Sequence, residues 1–447
     1  MLASSYLVGT AAGLATFTAL PASYCLMKFL RFWGVLLGWL LAAPGWAQAP
    51  DNRPPLPTKD LGDLVKAILP HLAHPRRAQA TADSAAQAAD SLAPAPPPRP
   101  PRKPKSTSLV VLPAVAYTLE ARLLATLTAS VSFQRPEANL SAISTTLTYT
   151  QNRQIILAVN GPLWTRDNHS LWLADYRLLH YPQQTFGLGS DSHLSDALGM
   201  DYNLLRVHQS YYHRVGRTGP LYAGVGYFLD TRWNIRTFDG RGEQIDVISG
   251  YRPGVSGRST SSGLVLSVLR DSRDNQLRPA PGESYLFLAL RTNLQVLGSD
   301  ANYRFFQFDA RRYFRAGPRG NVLAFWLYGD FAQGSAAPYL DLPATGWDTY
   351  SVTGRGYIQG RFRGTSLVYG EAEYRFNLTR SRVLGGVVFA NGQSARNPDT
   401  GFGRLAPAGG AGIRLALSKK VGTYLAVDYA VGLEGSQGVF FNLGDVF

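Results

Sequence analysis

The chain has 447 residues, with 45 glycines, 23 tyrosines and 21 phenylalanines, yet only 17% are charged. A soluble domain carries roughly a quarter charged residues, so the composition argues against two or three soluble domains. It fits a membrane barrel, whose outer face is apolar and whose strands favour aromatics. The net charge of +14 would suit nucleic acid, but the export signal described next turns that reading towards lipid phosphates or a cationic lumen.

Residues 1–26 carry no charge. From Met27 the chain reads Met-Lys-Phe-Leu-Arg, then an apolar run over 32–43, then Ala47-Gln48-Ala49. A basic n-region, an h-region and a small-x-small site predict a signal peptide over 27–49, cleaved after Ala49. Residues 1–26 are then an over-extended start. The alternative is a transmembrane helix over 5–26. The single cysteine, Cys25, lies ahead of Met27, so the mature chain is expected to hold no disulfide and no Cys-based metal site. Cleavage removes Lys28 and Arg31 and no acid, leaving 42 basic against 30 acidic residues.

Residues 50–107 have a different character. The stretch 60–71 predicts one short amphipathic helix with Leu61, Leu64, Val65 and Leu69 on one face. An Ala-rich run follows, then a basic polyproline linker over 94–105. The zone reads as a short disordered or helical segment, too short for a periplasmic domain plus linker.

From Ser108 onward the sequence alternates with period two between turn signals. Sixteen strands are predicted, at 108–118, 120–134, 138–151, 153–164, 169–182, 200–214, 218–234, 259–271, 283–295, 302–315, 320–333, 365–378, 382–391, 408–418, 422–433 and 437–447. If the first strand runs outward, the long gaps at 182–200, 239–258, 334–364 and 392–407 all fall outside. The short gaps at 316–319, 379–381 and 419–421 then fall on the periplasmic side, the asymmetry of outer-membrane barrels. Parity assigns the faces. Gln307, Asp309 and Arg311 oppose Phe306, Phe308 and Ala310; Glu371, Glu373 and Arg375 oppose Gly370, Ala372, Tyr374 and Phe376; Asp428 opposes Leu425, Val427, Tyr429 and Val431. Charges are expected in the lumen and aromatics towards lipid. A soluble sandwich would reverse the assignment. The fold class is therefore all-β: a 16-stranded antiparallel transmembrane β-barrel of the outer-membrane type.

Three segments resemble the outer-membrane barrel-assembly and two-partner-secretion superfamily, also called bacterial surface antigens. The first is Asp271-Ser272-Arg273-Asp274-Asn275 with Pro279, Pro281 and Gly282, which resembles the superfamily's turn between strands eight and nine. Its Asp, Asn, Pro and Gly are turn formers, so its default role is structural. The second is Gly354-Arg355-Gly356-Tyr357, which resembles the R-G-[FY] tip of the sixth outer loop. The resemblance implies a loop folded into the lumen, its arginine meeting acidic residues on the next two strands. The matching positions are Glu373 and Asn391; the latter departs from the usual aspartate, and Glu371 shares the lumenal face. The third is 409–447, similar to the last three strands, ending in a terminal aromatic signal carried by Phe441, Leu443 and Phe447. The likeness covers about 340 residues, strongest after Asp271, with Phe186-Gly187-Leu188-Gly189 its best match in the first half.

The resemblance implies help in inserting or exporting proteins at the outer membrane, through a seam between the first and last strands. A weakly paired seam templates an incoming strand, and Gly435, Gly438 and Gly444 weaken the last strand. Partners expected on this reading are outer-membrane lipids, unfolded outer-membrane protein clients and periplasmic or lipoprotein partners, and no nucleic acid. Typical members carry polypeptide-transport-associated domains ahead of the barrel; none fits in 50–107, which marks a short subfamily. The rival reading is a passive channel or structural barrel. Of the histidines, His208 and His213 share a strand but face opposite sides. No triad spacing or metal motif is apparent, so no enzyme, cofactor or metal is expected.

Overall fold

The computed structural model describes residues 107–447, apart from 119, 136, 218, 318–319, 335, 349–350 and 419–422. The expected signal peptide over 27–49, the residues before it, the helix over 60–71 and the polyproline linker over 94–105 lie outside the described residues.

Sixteen long strands run through the described residues. They are β1 (Thr107–Thr118), β2 (Arg122–Gln134), β3 (Leu140–Thr150), β4 (Ile155–Trp164), β5 (Ser170–His180), β6 (Leu198–Arg214), β7 (Leu221–Phe238) and β8 (Gly257–Asp271). They continue with β9 (Ser284–Asn293), β10 (Tyr303–Ala316), β11 (Asn321–Gln333), β12 (Ser366–Asn377), β13 (Leu384–Asn397), β14 (Ala406–Ser418), β15 (Thr423–Val431) and β16 (Gln437–Leu443). Each pairs antiparallel with the next from β1 to β16. Short segments Gln183–Thr185, Gln244–Ile245 and Gly401–Phe402 extend the pairing of β6, β7 and β13. The sheet curls until β1 and β16 lie within 8 Å of each other. The result is an antiparallel barrel of the outer-membrane type.

The facing is inverted relative to a soluble sandwich. Leu147, Val225, Leu266, Phe306, Leu327, Ile413 and Tyr429 are exposed on the outer wall. Asp230, Asp309, Glu371, Glu373 and Asp428 are buried inside. Inward threonines bond across strands, Thr126 to Thr148 at 2.5 Å and Thr128 to Thr146 at 3.1 Å. An apolar band around a polar interior is what a lipid solvent selects, because backbone groups are satisfied strand to strand. Parts of the interior are packed. One cluster joins Tyr202, Ile235 and Tyr303 to Tyr339 and Leu342; another joins Tyr313, Trp326 and Tyr369 to Tyr357, Phe362 and Phe447.

Two of the boundaries that differ from the sequence reading bear on the site. The expected long gap over 392–407 is largely strand: β13 runs to Asn397, and Gln393 pairs with Ala406. Gln393 and Ala395 point inward and are fully buried, while their neighbours are Gly392, Ser394 and Arg396. Such small, polar alternation carries little hydrophobic signal, so the strand looked finished at 391. The last strand, expected to reach 447, stops at Leu443. Gly444, at φ +88°, turns the chain inward; a Cβ there would meet the Leu277 carbonyl oxygen at 2.6 Å. A side chain would both strain this left-handed turn and block the close approach.

Candidate functional site: the lumen beneath the long loops and the open seam

Odd-numbered connections share one end of the barrel, here the loop end, and even-numbered ones the turn end. The 334–365 connection between β11 and β12 is the sixth at the loop end. This loop six does not project into solvent but descends between the strand walls. Gly356 makes the descent possible: its φ is +102°, and a Cβ would sit 2.8 Å from that of Ala408 and 3.3 Å from the Val431 carbonyl carbon.

At the bottom of the descent Arg355 is 3% exposed, its guanidinium 3.6 Å from the centre of the Phe389 ring. It donates to Glu371 and Glu373 on β12, and to Asp428 on β15 at 2.6 Å. Tyr369 donates to the other Glu371 oxygen. The cluster continues towards the turn end. Arg375 donates to Glu373 at 2.6 Å, to Asp445 at 3.4 Å and to the Phe447 carbonyl oxygen at 2.8 Å. Arg414 bridges Asp428 and Asp445. Three guanidiniums therefore share four carboxylates in one buried network, where charges are tolerable only with partners on every side.

Of the residues singled out from sequence for this loop, Arg355 and Glu373 meet directly. Asn391 does not face the guanidinium: its amide donates to the Arg355 carbonyl oxygen at 3.0 Å. That is a correction to the expected pairing with the next two strands. The acids come instead from β12 and β15, because barrel curvature brings β15 across the narrowed lumen. Tyr357 donates to the Pro407 carbonyl oxygen at 2.6 Å and accepts from the Leu433 N–H at 3.0 Å, so it fastens the loop to the start of β14 and to the β15–β16 connection. Asp428, Arg375, Arg414 and Asp445 were missed as members of the network. For Asp428 and Arg414 the signal was a single lumenal charge on an otherwise apolar or glycine-rich strand, and for Arg375 its shared parity with Glu371 and Glu373; Asp445 lies beyond β16 and had no such signal.

The terminal residues divide. Phe441 lies on the exposed wall, and Leu443 pairs with Leu425. Phe447 was expected as the aromatic at the end of a strand, but is 1% exposed and turned into the lumen. Its ring stands 5.3 Å from Trp326 and 6.4 Å from Tyr313. Its carboxyl end meets Arg375, whose charge the last turn of chain helps to neutralise.

The Asp271–Gly282 turn closes on itself. Arg273 donates from its N–H, Nε and Nη2 to Asp271, and Gln276 adds a fourth bond. Asn275 accepts from the Leu277 N–H at 2.9 Å, Asp274 donates its N–H to Glu283 at 3.1 Å, and Gly282 turns at φ +97°. The turn also reaches across the turn end. The Leu277 carbonyl accepts from the Asp445 N–H at 2.7 Å, and the Arg278 guanidinium lies 4.4 Å from the Tyr424 ring centre.

At the loop end Glu434 gathers four connections. Its carboxylate accepts from His193 at 2.8 Å and the Leu194 N–H at 2.9 Å in loop three, from Arg361 at 3.1 Å in loop six, and from Arg404. The Arg404 hydrogen bond, with those from Leu194 and His193, holds the Glu434 carboxyl down to about 2.

Two features remain open. A cavity of about 920 Å³ fills the β4–β11 side of the lumen. Asn139, Asn168, Pro220 and Asn275 line it at the turn end, and residues 340–348 of loop six cap it. Inside it Asp230 accepts from Arg206 at 2.6 Å, His208 at 2.8 Å and Arg291 at 3.0 Å. The second feature is the seam: every neighbouring pair from β1 to β16 shares a hydrogen-bonded register, but among the described residues β1 and β16 share none.

No known family matches the chain by sequence, and no curated protein does so either. Solved structures do. BamA from Haemophilus ducreyi, in a crystal structure lacking POTRA domains 1–3, superposes with a TM-score of 0.50 at 14% identity, over 76% of this chain and 70% of that one. CdiB from Acinetobacter baumannii gives 0.50 at 13% identity, over 75% and 59%, and CdiB from Escherichia coli 0.50 at 12% identity, over 75% and 62%. The chain spans less than two thirds of either CdiB. The likeness is one of barrel fold.

Proposed function

We propose that this chain is a bacterial outer-membrane barrel that assists insertion or export of proteins through the β1/β16 seam, with loop six locked in the lumen by Arg355. The observation that carries the reading is that, among the described residues, β1 and β16 share no register in a sheet otherwise paired from strand to strand. Two unpaired edges inside lipid leave N–H and C=O groups unsatisfied, which is costly, and an incoming strand satisfies them by β-augmentation. The inward hook at Gly444 supports the same reading. It ends β16 at Leu443 and spends the last residues on lumenal contacts rather than on pairing with β1.

The network around Arg355 then serves as a brace. With one neighbour missing at each edge, β16 and β15 are held from inside, through Asp428 to loop six and through Asp445 to Arg375 and Arg414. Clients on this reading are unfolded outer-membrane strands, and lipoprotein or periplasmic partners engage the turn end.

A passive channel is the second reading, favoured by the cavity that reaches the turn end. One experiment separates the two. The seam is closed by a disulfide between cysteines placed on β1 and β16, and insertion of a client barrel into liposomes is compared in oxidised and reduced protein. The insertase reading expects the closed seam to abolish insertion and reduction to restore it. Equal insertion in both states, with unchanged single-channel conductance, rejects it in favour of the channel.

A further inference from the structure

Two arginines stand on the lipid-facing wall near the turn end. Arg270 on β8 shares the outward parity of Leu264, Leu266 and Val268, and all four are exposed. Arg312 on β10 shares the outward parity of Phe306 and Phe314 and is likewise exposed. Ser284 of β9 lies between them. It faces Arg312 in the β9–β10 register, and its hydroxyl accepts from the Arg270 guanidinium. The Ser272 hydroxyl is 3.3 Å from that of Ser284. Three neighbouring strands thus bring two guanidiniums and two hydroxyls to one place on the outer surface.

The surrounding acids are occupied elsewhere. Asp271 is held by Arg273 at 2.8 Å and Asp309 by Arg311 at 2.7 Å, both on the lumenal side. Asp274 lines the lumenal cavity. Glu283 accepts from the N–H groups of Asp274 and Ala280, at 3.1 and 2.7 Å. Among the described residues neither Arg270 nor Arg312 makes an ion pair. With the exposed Arg315 beside them, they outnumber the one nearby carboxylate, Glu283.

The height of the pair along the wall matches that of a lipid headgroup. On the side towards the middle of the barrel the surface is apolar, with Leu266, Val268, Leu286 and Phe306 exposed. Beside it Phe325 faces Arg312 in register, and Phe314 packs edge-on against Phe325 with ring centres 5.9 Å apart. Such aromatics form the girdle where hydrocarbon meets water, and a cation on the lipid face costs much at mid-bilayer but little at that boundary. The rest of the turn end has the same sign. The connections at 215–220, 317–320, 378–383 and 419–422 carry basic residues and no acid, and Arg217, Arg380 and Arg382 are exposed.

We propose that Arg270 and Arg312, with Ser272 and Ser284, bind the phosphate of an anionic phospholipid in the leaflet at the turn end. Guanidinium forks match pairs of phosphate oxygens, and the hydroxyls add neutral hydrogen-bonding groups. Leu266 and Leu286 lie against the acyl chains. Basic residues at a membrane surface attract anionic lipid, whereas a zwitterionic headgroup brings its own cation and gains less. The site is independent of the seam and rests only on the placement of the barrel in a membrane.

The test uses the purified chain in neutral detergent micelles, with its heat-unfolding midpoint followed by gel mobility. Phosphatidylglycerol and phosphatidylcholine are compared at equal mole fraction, with inorganic phosphate and polyglutamate as further arms at constant ionic strength. Binding to the folded state raises the midpoint with the logarithm of ligand concentration above Kd. Phosphatidylglycerol is expected to raise it above phosphatidylcholine, and R270Q/R312Q to lose most of that shift. R380Q/R382Q, which removes the same charge elsewhere at the turn end, is expected to keep it. Equal shifts with the two lipids, or equal losses in the two double variants, would overturn the site. A shift matched by inorganic phosphate makes the ligand a free anion, and one given by polyglutamate but not by phosphatidylglycerol makes it an acidic protein; either refutes the lipid. If R270Q/R312Q does not fold, a photoreactive side chain in place of Leu286, which pairs with Arg270 in register, decides. Preferential crosslinking to phosphatidylglycerol from an equal mixture of the two lipids supports the site, and equal crosslinking refutes it.

Discussion

The two halves of the lumen solve one electrostatic problem differently. On the β12–β16 side, a loop from one end and the carboxyl terminus from the other deliver charges that the wall lacks, and the space is filled. Arg355 comes from loop six, Asp445 from the tail, and between them Glu371, Glu373, Asp428, Arg375 and Arg414 are all engaged. On the β4–β11 side the wall pairs mostly with itself. Asp230 is bonded by side chains of β6 and β9, Asp175 by Arg177 two residues away, and a 920 Å³ space remains in front of them. A barrel wall thus needs outside help only where its own charges do not balance. The filled half is also the half that carries the seam strand β16.

The largest expected effect tests that contrast directly. Arg355→Ala leaves three buried carboxylates short of their shared cation, and loss of one member of such a network costs about 3–5 kcal/mol. Folded yield, read as heat-modifiable mobility, is expected to fall sharply; unchanged mobility would remove the brace from the account. Phe447→Ala empties a slot between Trp326 and Tyr313 and is expected to cost about 3 kcal/mol. Phe441→Ala, on the lipid-facing wall, should cost only a small part of that, because lipid refills the space. Urea midpoints for the two variants sharpen the comparison, and equal losses would mean that Phe447 is not packed inside.

On the open side, Asp230→Asn is expected to cost less, about 2 kcal/mol, since water in the cavity can solvate the released Arg206 and Arg291. A loss matching that of Arg355→Ala would break the distinction between the halves. The smallest effect concerns the loop end. The Glu434 carboxyl is held at about 2, below its ordinary value of 4.5, first by its hydrogen bond from Arg404. A depressed folded value means that its contribution is full above about 4.5 and disappears as pH falls through about 2. Tryptic cutting at Arg361 and Arg404 should therefore stay slow at pH 7 in the unaltered protein and quicken in E434Q. Acid-induced loosening, followed by a fluorophore on loop three, should begin below pH 4.5 in the unaltered protein and be absent in E434Q.

Much of this architecture could be read from period-two alternation. Strands such as β10 and β12 carry charge on one parity and aromatics on the other, and a wall between lipid and water imposes that pattern locally. Arg355 could be read because glycines flank it in a long gap. What could not be read depends on closure. Asp428 lies 73 positions from Arg355, and no local rule brings β15 beneath loop six. Asn391 stands opposite Glu371 in the β12–β13 register, yet the height of the loop backbone decides that its amide meets a carbonyl rather than the guanidinium. Phe447 is the clearest case. A terminal aromatic looks the same in sequence whether it faces lipid or the interior, and the choice was made by Gly444 three residues earlier.

The link between Leu277 and Asp445 makes closure of the turn end a long-range event. The hairpin between β8 and β9 docks against the segment that follows β16, so eight of the sixteen strands separate the two partners in sequence. A reporter placed at Leu277 would therefore sense whether the far margin of the sheet has come round, which no probe within a single hairpin can do.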